Sequence, residues 1–167
     1  TVSDDVGQHP LFAIDIASGA VKQIAGNGTV GEFDLANDTL AFTRDTLSSP
    51  AQLFVSQTVG VAERQITINN SEALAKLAIG ESEQFNFTGA KGEKVHGFVV
   101  KPANFQEGKK YPVAFLIHGG PQGSFGNHFH YRWNPQTYAG QGFAVVMIDF
   151  HGSTGYGQAF TDSISGD

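Results

Sequence analysis

Apolar and polar residues alternate in two stretches near the N-terminus, residues 31–35 and 39–44, as they do in strands with one buried face. Asn37 and Asp38 stand between these stretches and suit the tight turn of a hairpin. An antiparallel pair of strands is therefore predicted here.

The same part of the chain contains an internal repeat. Residues 11–24 align without gaps with residues 53–66 at a spacing of 42 residues, and five of the 14 positions are identical. Short strands that recur at this interval are typical of β-propeller blades. Residues 1–70 are predicted to form the C-terminal end of a β-propeller domain, with a sandwich of short strands as the alternative.

The pattern then changes, because residues 71–79 favour a helix, with Ser71 as its cap and Gly80 as its stop. This helix is predicted to link two domains. Alternation in residues 84–89 and 94–101 predicts a second hairpin. The residues of this hairpin expected to face inward are Phe85, Phe87, Val95 and Val99.

Two continuous apolar runs follow, residues 113–117 and 143–148, with a predicted helix at residues 136–141 between them. Such runs are typical of strands buried on both faces in parallel α/β sheets. Residues 71–167 are therefore predicted to be the N-terminal part of an α/β domain with a mostly parallel sheet. The loops after the two strands are expected to face one pocket, since ligand sites form beyond the carboxyl ends of such strands.

Composition and charge restrict the partners. The net charge is −6 and the 10 basic residues are scattered, which argues against nucleic acid as a partner. The apolar runs are too short to cross a bilayer, so no membrane partner is predicted. The chain has no cysteine, which excludes disulfides within it. Nothing in the sequence indicates an oligomeric state.

Asparagine occurs in an unusual context. Four of the eight Asn residues stand in N-x-[ST] sequons, where chance would give about one. This excess predicts a secreted, extracellular glycoprotein. The predicted N-glycosylation sites are Asn27, Asn37, Asn69 and Asn86.

Cofactor and metal sites are not indicated. His128 and His130 have an H-x-H spacing, but no carboxylate or third histidine is nearby to complete a metal shell. The glycine pairs match neither of the two common phosphate-binding loops. No metal and no cofactor are predicted.

Several motifs occur in a fixed order between residues 110 and 162: a strand that ends in HGGP, the segment RWNP, then GFAVVMID and GSTGYGQAF. Together with the blade-like repeat, the linking helix and the hairpin, they closely resemble the prolyl oligopeptidase family. His151 stands where many members of the wider family carry arginine.

The resemblance implies an α/β-hydrolase domain preceded by the last blade or blades of a β-propeller. It also implies a serine exopeptidase that releases dipeptides from free peptide N-termini, so that a peptide is the expected substrate. In that family the catalytic Ser, Asp and His follow GSTGYG in this order. The chain contains no G-x-S-x-G, so all three are expected after Asp167, in a longer protein, and these 167 residues alone are expected to be inactive.

The resemblance also implies site residues. The HGGP motif makes the backbone N–H of Gly120 the candidate donor of an oxyanion hole, where the missing side chain lets the backbone approach a reacting carbonyl. His118 is expected to orient this loop, with a direct side-chain role as the alternative. Arg132, Trp133 and Tyr156 are candidates for a substrate pocket, although packing explains them nearly as well.

Two other functions stay open on the sequence. The residues that would hold a free substrate amine are not identifiable, so an acylaminoacyl peptidase or a carboxylic esterase fits the same motifs. A non-catalytic binding or antigenic module is the alternative from a different class.

Overall fold

The computed structural model describes residues 1–57 and 62–166. Part of the second copy of the repeat, residues 58–61, therefore lies outside the described residues. No helix in the described ranges is long and apolar enough to pass through a bilayer.

The N-terminal part, residues 1–70, which we call the antiparallel region, contains six strands among its described residues. They are β1 (Leu11–Ile14), β2 (Val21–Ala25), β3 (Thr29–Ala36), β4 (Thr39–Thr46), β5 (Ser49–Gln57) and β6 (Arg64–Gln65). Strands β1 and β2 form one sheet, and β3 to β6 form a four-stranded meander in chain order. Every pairing between these strands is antiparallel.

The structure confirms the hairpin predicted in this region. Asn37 and Asp38 form the β3–β4 turn with φ of 46° and 61°, as a two-residue hairpin turn requires. Equivalent positions of the repeat also pair alike, because Phe12 pairs with Gln23 between β1 and β2, and Phe54 pairs with Gln65 between β5 and β6. Both members of the second pair lie 42 positions after those of the first.

The C-terminal part contains four strands and three short helices among its described residues. They are α1 (Ser71–Leu74), β7 (Ser82–Thr88), β8 (Lys94–Val100), β9 (Val113–Leu116), α2 (Pro135–Ala139), β10 (Ala144–Asp149) and α3 (Gln158–Asp162). The strands form one sheet, which we call the C-terminal sheet, with the order β7-β8-β10-β9. The expectation of a mostly parallel sheet is wrong for the described residues, because only β9 and β10 pair in parallel. The tight connection between β7 and β8 permits only an antiparallel pair, whereas the helix α2 between β9 and β10 permits a parallel one.

The linking helix differs from its prediction. Helix α1 spans only four residues and buries none of them. Its N-cap is Asn70, at φ 64°, rather than Ser71, and no side chain bonds the cap. Without a buried face, the helical propensity of residues 71–79 does not sustain a longer helix.

Burial in the C-terminal sheet, formed by β7 to β10, also departs from the expected pattern. Val95 is buried, but Phe87 is 43% exposed, and Phe98 and Val100 on the opposite face are buried. The reason is that this opposite face packs into a hydrophobic core, to which Phe98 and Val100 both belong. Strand β9 lies at the edge of the sheet, and alternate residues on one of its faces are exposed among the described residues, contrary to the expectation of two buried faces. These residues are Val113, Phe115 and Ile117.

The two parts of the molecule each have a hydrophobic core, and one residue crosses between them. Leu47 follows β4 in the antiparallel region, yet its side chain packs with Phe98, Val100 and Met147 in the core of the C-terminal sheet. The core of the antiparallel region consists of Leu11, Ala25, Val30, Leu40 and Phe42.

Helix α2 completes this junction. Asn134 caps it by accepting a hydrogen bond from the Gln136 N–H at 2.9 Å, and Pro135 occupies the first turn. The buried Gln136 side chain bonds both the N–H and the carbonyl of Gly80 and donates to the Leu47 carbonyl. The segments before β5, before β7 and after β9 are therefore joined at one point.

Candidate active site

Two loops extend from the carboxyl ends of the parallel strands: the β9 loop, residues 118–126, and the β10 loop, residues 150–157. They lie against each other, as expected for neighbouring parallel strands. The Thr154 N–H donates to the Gly123 carbonyl at 2.9 Å, and His118 Nε2 lies 2.9 Å from Ser153 Oγ. Each loop therefore holds the other.

Gly120 lies at a bend in the β9 loop. Its φ of 137° lies outside the range that L side chains readily adopt, and a Cβ built there would stand 2.7 Å from the Gln122 nitrogen. The bond to Pro121 is cis. Gly120 is exposed, and none of the described residues accepts a hydrogen bond from its N–H. This backbone donor is thus free to bind a group from outside.

His118 is held at both ring nitrogens. Nδ1 lies 2.9 Å from the Gly119 carbonyl and must donate to it, so in a neutral ring Nε2 accepts from the Ser153 hydroxyl. The ring stacks on Phe150 with centroids 4.5 Å apart and meets the edge of Phe125. These contacts favour orientation of the β9 loop over direct contact with a reacting group.

A buried carboxylate stands below both loops. Asp149 ends β10 and is 2% exposed. One oxygen accepts from the Ser124 hydroxyl at 2.7 Å and from the Tyr156 hydroxyl at 2.6 Å, and the other accepts from the Phe125 N–H at 3.0 Å. Asp149 therefore binds the β9 loop twice and the β10 loop once.

The surroundings of Asp149 shift the pKa of two nearby groups. Burial, followed by the charge of Asp149, raises the pKa of Tyr156 far above its ordinary value, so its hydroxyl keeps its proton and donates. Burial also lowers the pKa of His96, whose ring stacks on Tyr156 with centroids 5.3 Å apart. The neutral Tyr156 phenol therefore stands between the Asp149 carboxylate, to which it donates, and the His96 ring, on which it stacks.

The chain continues from the β9 loop into residues 127–133, which we call the aromatic segment. Its anchor is Asp45 near the end of β4, whose one carboxylate oxygen accepts from His128 Nδ1 at 2.8 Å and from the Phe129 N–H at 2.7 Å. The hydrogen bond to Asp45 is the main cause of a raised pKa of His128, and partial burial opposes it. The protonated imidazole is therefore favoured in this contact.

Asn127 attaches the start of the aromatic segment to the antiparallel region with every polar group it has. Its N–H donates to the Gly7 carbonyl and its carbonyl accepts from the Thr29 hydroxyl. Its side chain accepts from the Leu47 N–H at 2.9 Å and donates to Gln8. The segment is consequently held by residues that precede it by about 80 to 120 positions in the sequence.

A cavity of about 600 Å³ lies between the β9 loop and the aromatic segment. Its lining is mainly apolar and includes Leu47, Phe115, Phe125, Trp133, Tyr138 and Met147. Polar groups in the wall come from Gly119, His118, His128 and His130. The cavity can therefore take up an apolar group, and its wall includes Gly119, the residue directly before the Gly120 donor.

The sequence-predicted pocket residues are not brought together. Trp133 lines the cavity and is 61% exposed, so it is not a core residue. Arg132 is exposed outside the lining, and Tyr156 lies against Asp149. His151, in the place of an arginine, contacts the Glu93 carboxylate and stacks on Phe160. The predicted roles of Gly120, His118, Arg132, Trp133 and Tyr156 stay predictions.

One statement about the histidines is corrected. The structure places a carboxylate, Asp45, directly on His128, although none is near it in the sequence. The rings of His128 and His130 stand edge to face with centroids 5.9 Å apart. Even so, within the described ranges no three His, Asp or Glu side chains are grouped so that they could hold a metal ion.

Sequence reasoning missed the anchoring residues. Asp149 ends the GFAVVMID motif, to which no role was assigned, and a carboxylate directly after an apolar run was the available signal. Ser124 lies outside the motifs named in the sequence. Asp45 and Asn127 carried no such signal, because their partners are remote in the sequence.

The model of the prolyl oligopeptidase family matches residues 129–167. The chain is 35% identical over 165 residues to dipeptidyl-peptidase 5 of Schizosaccharomyces pombe, which covers 98% of this chain and 24% of that protein. It is 54% identical over 74 residues to probable dipeptidyl-peptidase 5 of Arthroderma benhamiae, covering 44% of this chain and 10% of that protein. The chain thus spans about a quarter or less of these relatives.

Solved structures agree. The acylaminoacyl peptidase of Pyrococcus horikoshii matches 98% of this chain and 25% of that chain, with a TM-score of 0.83 and 31% identity. A puromycin-hydrolyzing peptidase of Mycobacterium tuberculosis matches 95% of this chain and 25% of that one, with a TM-score of 0.71 but 18% identity, which shows the fold alone. The fold is therefore one that peptidases have. The chain belongs to the prolyl oligopeptidase family.

Proposed function

We propose that this chain is part of a serine peptidase in which Gly120 supplies one donor of the oxyanion hole. The observation that carries the proposal is the exposed Gly120 N–H, which has no acceptor among the described residues and directly follows Gly119 in the wall of an apolar cavity. In acyl transfer, such a donor stabilises the negative charge that develops on the carbonyl oxygen, and loss of one donor costs about 3–4 kcal/mol. The nucleophile and its base belong to parts of the protein outside these 167 residues.

The proposal includes a division into two domains. The antiparallel region, residues 1–70, would be the last blade or blades of a β-propeller, and residues 71–167 the start of an α/β-hydrolase domain. The 42-residue repeat of strand pairing supports the first assignment, and the two loops beyond a parallel strand pair support the second.

Release of dipeptides from free N-termini is the preferred specificity, because relatives named dipeptidyl-peptidase 5 align over nearly the whole chain. Acylaminoacyl peptidase activity is the second candidate, favoured by the structural match to the Pyrococcus horikoshii protein. We also propose that the protein is secreted and glycosylated, since all four sequon asparagines are exposed.

The test uses the full-length protein that contains this chain. Dipeptidyl chromogenic substrates with a free N-terminus are compared with the same compounds carrying an N-acetyl group, with acetyl-aminoacyl compounds and with simple esters. We expect hydrolysis of the free dipeptidyl substrates alone, abolished by a serine-directed inhibitor, and no hydrolysis by the 167-residue chain. A preference for acetyl-aminoacyl substrates would establish the second candidate instead.

Absence of any serine-dependent hydrolysis by the full-length protein would overturn the proposal, as would activity of the 167-residue chain alone.

Enzymatic removal of N-glycans from protein secreted by a native host should lower its mass. An unchanged mass would contradict the proposed glycosylation.

A further inference from the structure

Asp149 is the most deeply buried carboxylate in the candidate site. Its side chain is 3% exposed, and no lysine or arginine in the described ranges forms an ion pair with it. The only cation-forming group within ion-pair distance among those residues is His118, with Nε2 3.7 Å from Oδ1. A buried charge is costly unless several hydrogen bonds compensate for it, so such a residue needs a reason to be there.

The compensation comes from the two loops. Ser124 and Phe125, which follow Gly120 by four and five positions, donate a hydroxyl and a backbone N–H to Asp149, and Tyr156 donates from the β10 loop. Hydrogen bonds to an ionised acceptor are about twice as strong as neutral ones. Asp149 therefore attaches the C-terminal side of the turn at Gly120 to the end of β10.

The N-terminal side of the same turn is attached separately. His118 bonds Ser153 of the β10 loop and stacks on Phe150, the residue after Asp149. Gly120 thus lies between two attachments that both lead to the end of β10. With both ends held, the direction of its N–H is determined by contacts that contain no substrate.

We propose that Asp149 is a positioning residue, which holds the β9 loop so that the Gly120 N–H points at the oxygen of the reacting carbonyl. The inference rests on the proposed function and adds a residue to it. The stabilisation of a developing oxyanion depends on donor placement within a fraction of an ångström. Asp149 therefore acts on the transition state through Gly120 and has little influence on substrate binding.

The test is Asp149→Asn in the full-length protein. Asparagine keeps the shape but has one acceptor oxygen for three donors and no charge. We expect kcat to fall on the order of ten- to a hundredfold while KM changes less than about threefold. The affinity for a peptidyl aldehyde, whose adduct places an oxygen in the oxyanion position, should fall by the same factor as kcat. The affinity for a product dipeptide should not change.

Asp15→Asn is the matched control. Asp15 also accepts from a backbone N–H and a serine hydroxyl, both of Ser18, but it lies in the exposed β1–β2 turn. Its substitution should leave kcat, KM and aldehyde affinity unchanged.

Ser124→Ala removes one donor and leaves the charge of Asp149 in place. We expect a smaller fall in kcat and in aldehyde affinity, again with little change in KM. This second variant decides the matter if Asp149→Asn does not fold, as judged by thermal melting.

Two results would overturn the inference while leaving the peptidase proposal intact. One is a wild-type kcat in a folded Asp149→Asn variant, or in Ser124→Ala where the first variant is unfolded. The other is a rise in KM with unchanged kcat and aldehyde affinity. A wild-type protein without any serine-dependent hydrolysis is a different outcome, because it refutes the proposed function itself.

Discussion

Two consecutive stretches of the connection between β9 and α2 are held by different parts of the molecule. The β9 loop is bound by Asp149 at the end of the neighbouring strand, whereas the aromatic segment is bound by Asp45 in the antiparallel region. The two carboxylates are used alike, since each accepts from a side chain and from a phenylalanine N–H, Phe125 in one case and Phe129 in the other.

The two carboxylates differ in how far they lie from their partners along the sequence. Asp149 follows the β9 loop by about 25 residues within one sheet, while Asp45 precedes the aromatic segment by more than 80 residues in another. The position of the Gly120 N–H therefore depends on contacts within the C-terminal sheet and its loops. The position of the aromatic segment in the cavity wall depends on the antiparallel region. We expect damage to the first attachment to appear in kcat and damage to the second in KM.

The largest effect on this comparison is expected from Gly120→Ala. The positive φ and the 2.7 Å approach of a Cβ to the Gln122 nitrogen force the loop to move, and with it the donor N–H. We expect kcat of the full-length protein to fall on the order of a hundred- to a thousandfold, with KM changed much less. Steady-state kinetics on a dipeptidyl chromogenic substrate measures both.

The control for this variant is Gly108→Ala. Gly108 also has a positive φ, 80°, but a Cβ there would meet nothing within 4 Å. It separates the conformational cost of the substitution from the displacement of the donor, and kcat should stay at the wild-type value. An equal loss of kcat in both variants would contradict the assignment of Gly120.

A smaller effect is expected from Asp45→Asn, and it should appear in KM rather than in kcat. The variant weakens two hydrogen bonds to a charged acceptor, each worth about 1.5–3 kcal/mol, and loosens the wall that carries His128. We expect KM to rise roughly tenfold and kcat to change less than about twofold. Asp34→Asn is the control, because Asp34 is exposed on β3 and, among the described residues, its carboxylate accepts only from the Leu35 N–H. A fall in kcat instead of a rise in KM would show that the two attachments are not separable.

The smallest effect is a pH dependence of the contact between His128 and Asp45. Because the pKa of His128 is raised by its bond to Asp45, the charged contact is complete below the ordinary histidine value of 6.5 and is lost as pH rises through the raised pKa. His130 is the other titratable ring in contact with His128. KM should therefore rise a few-fold with increasing pH.

His128→Asn tests this dependence, because its amide can still donate to Asp45 but does not titrate. The variant should lose that rise in KM, measured between about pH 5 and pH 9. The pH profile of kcat should be the same in both proteins. A variant that kept the wild-type KM profile would exclude His128 as the titrating group.

Local patterns were enough for most of the secondary structure. The hairpin turn at Asn37 and Asp38, strands β9 and β10 and the β7–β8 hairpin follow from side-chain periodicity and turn chemistry, which act over a few residues. Propensity failed at α1, where no packed face exists, and the burial of β8 and β9 depended on their places in the sheet.

The motif around Gly120 could likewise be recognised from the chain alone, since a glycine pair after an apolar run is a local feature. What surrounds it could not. The contacts of Asp45 with His128, of Thr29 with Asn127 and of Leu47 with the core of the C-terminal sheet join residues about 50 to 100 positions apart. They exist because packing of the two cores brings these segments together, and no short-range pattern in a sequence specifies which distant surfaces will meet.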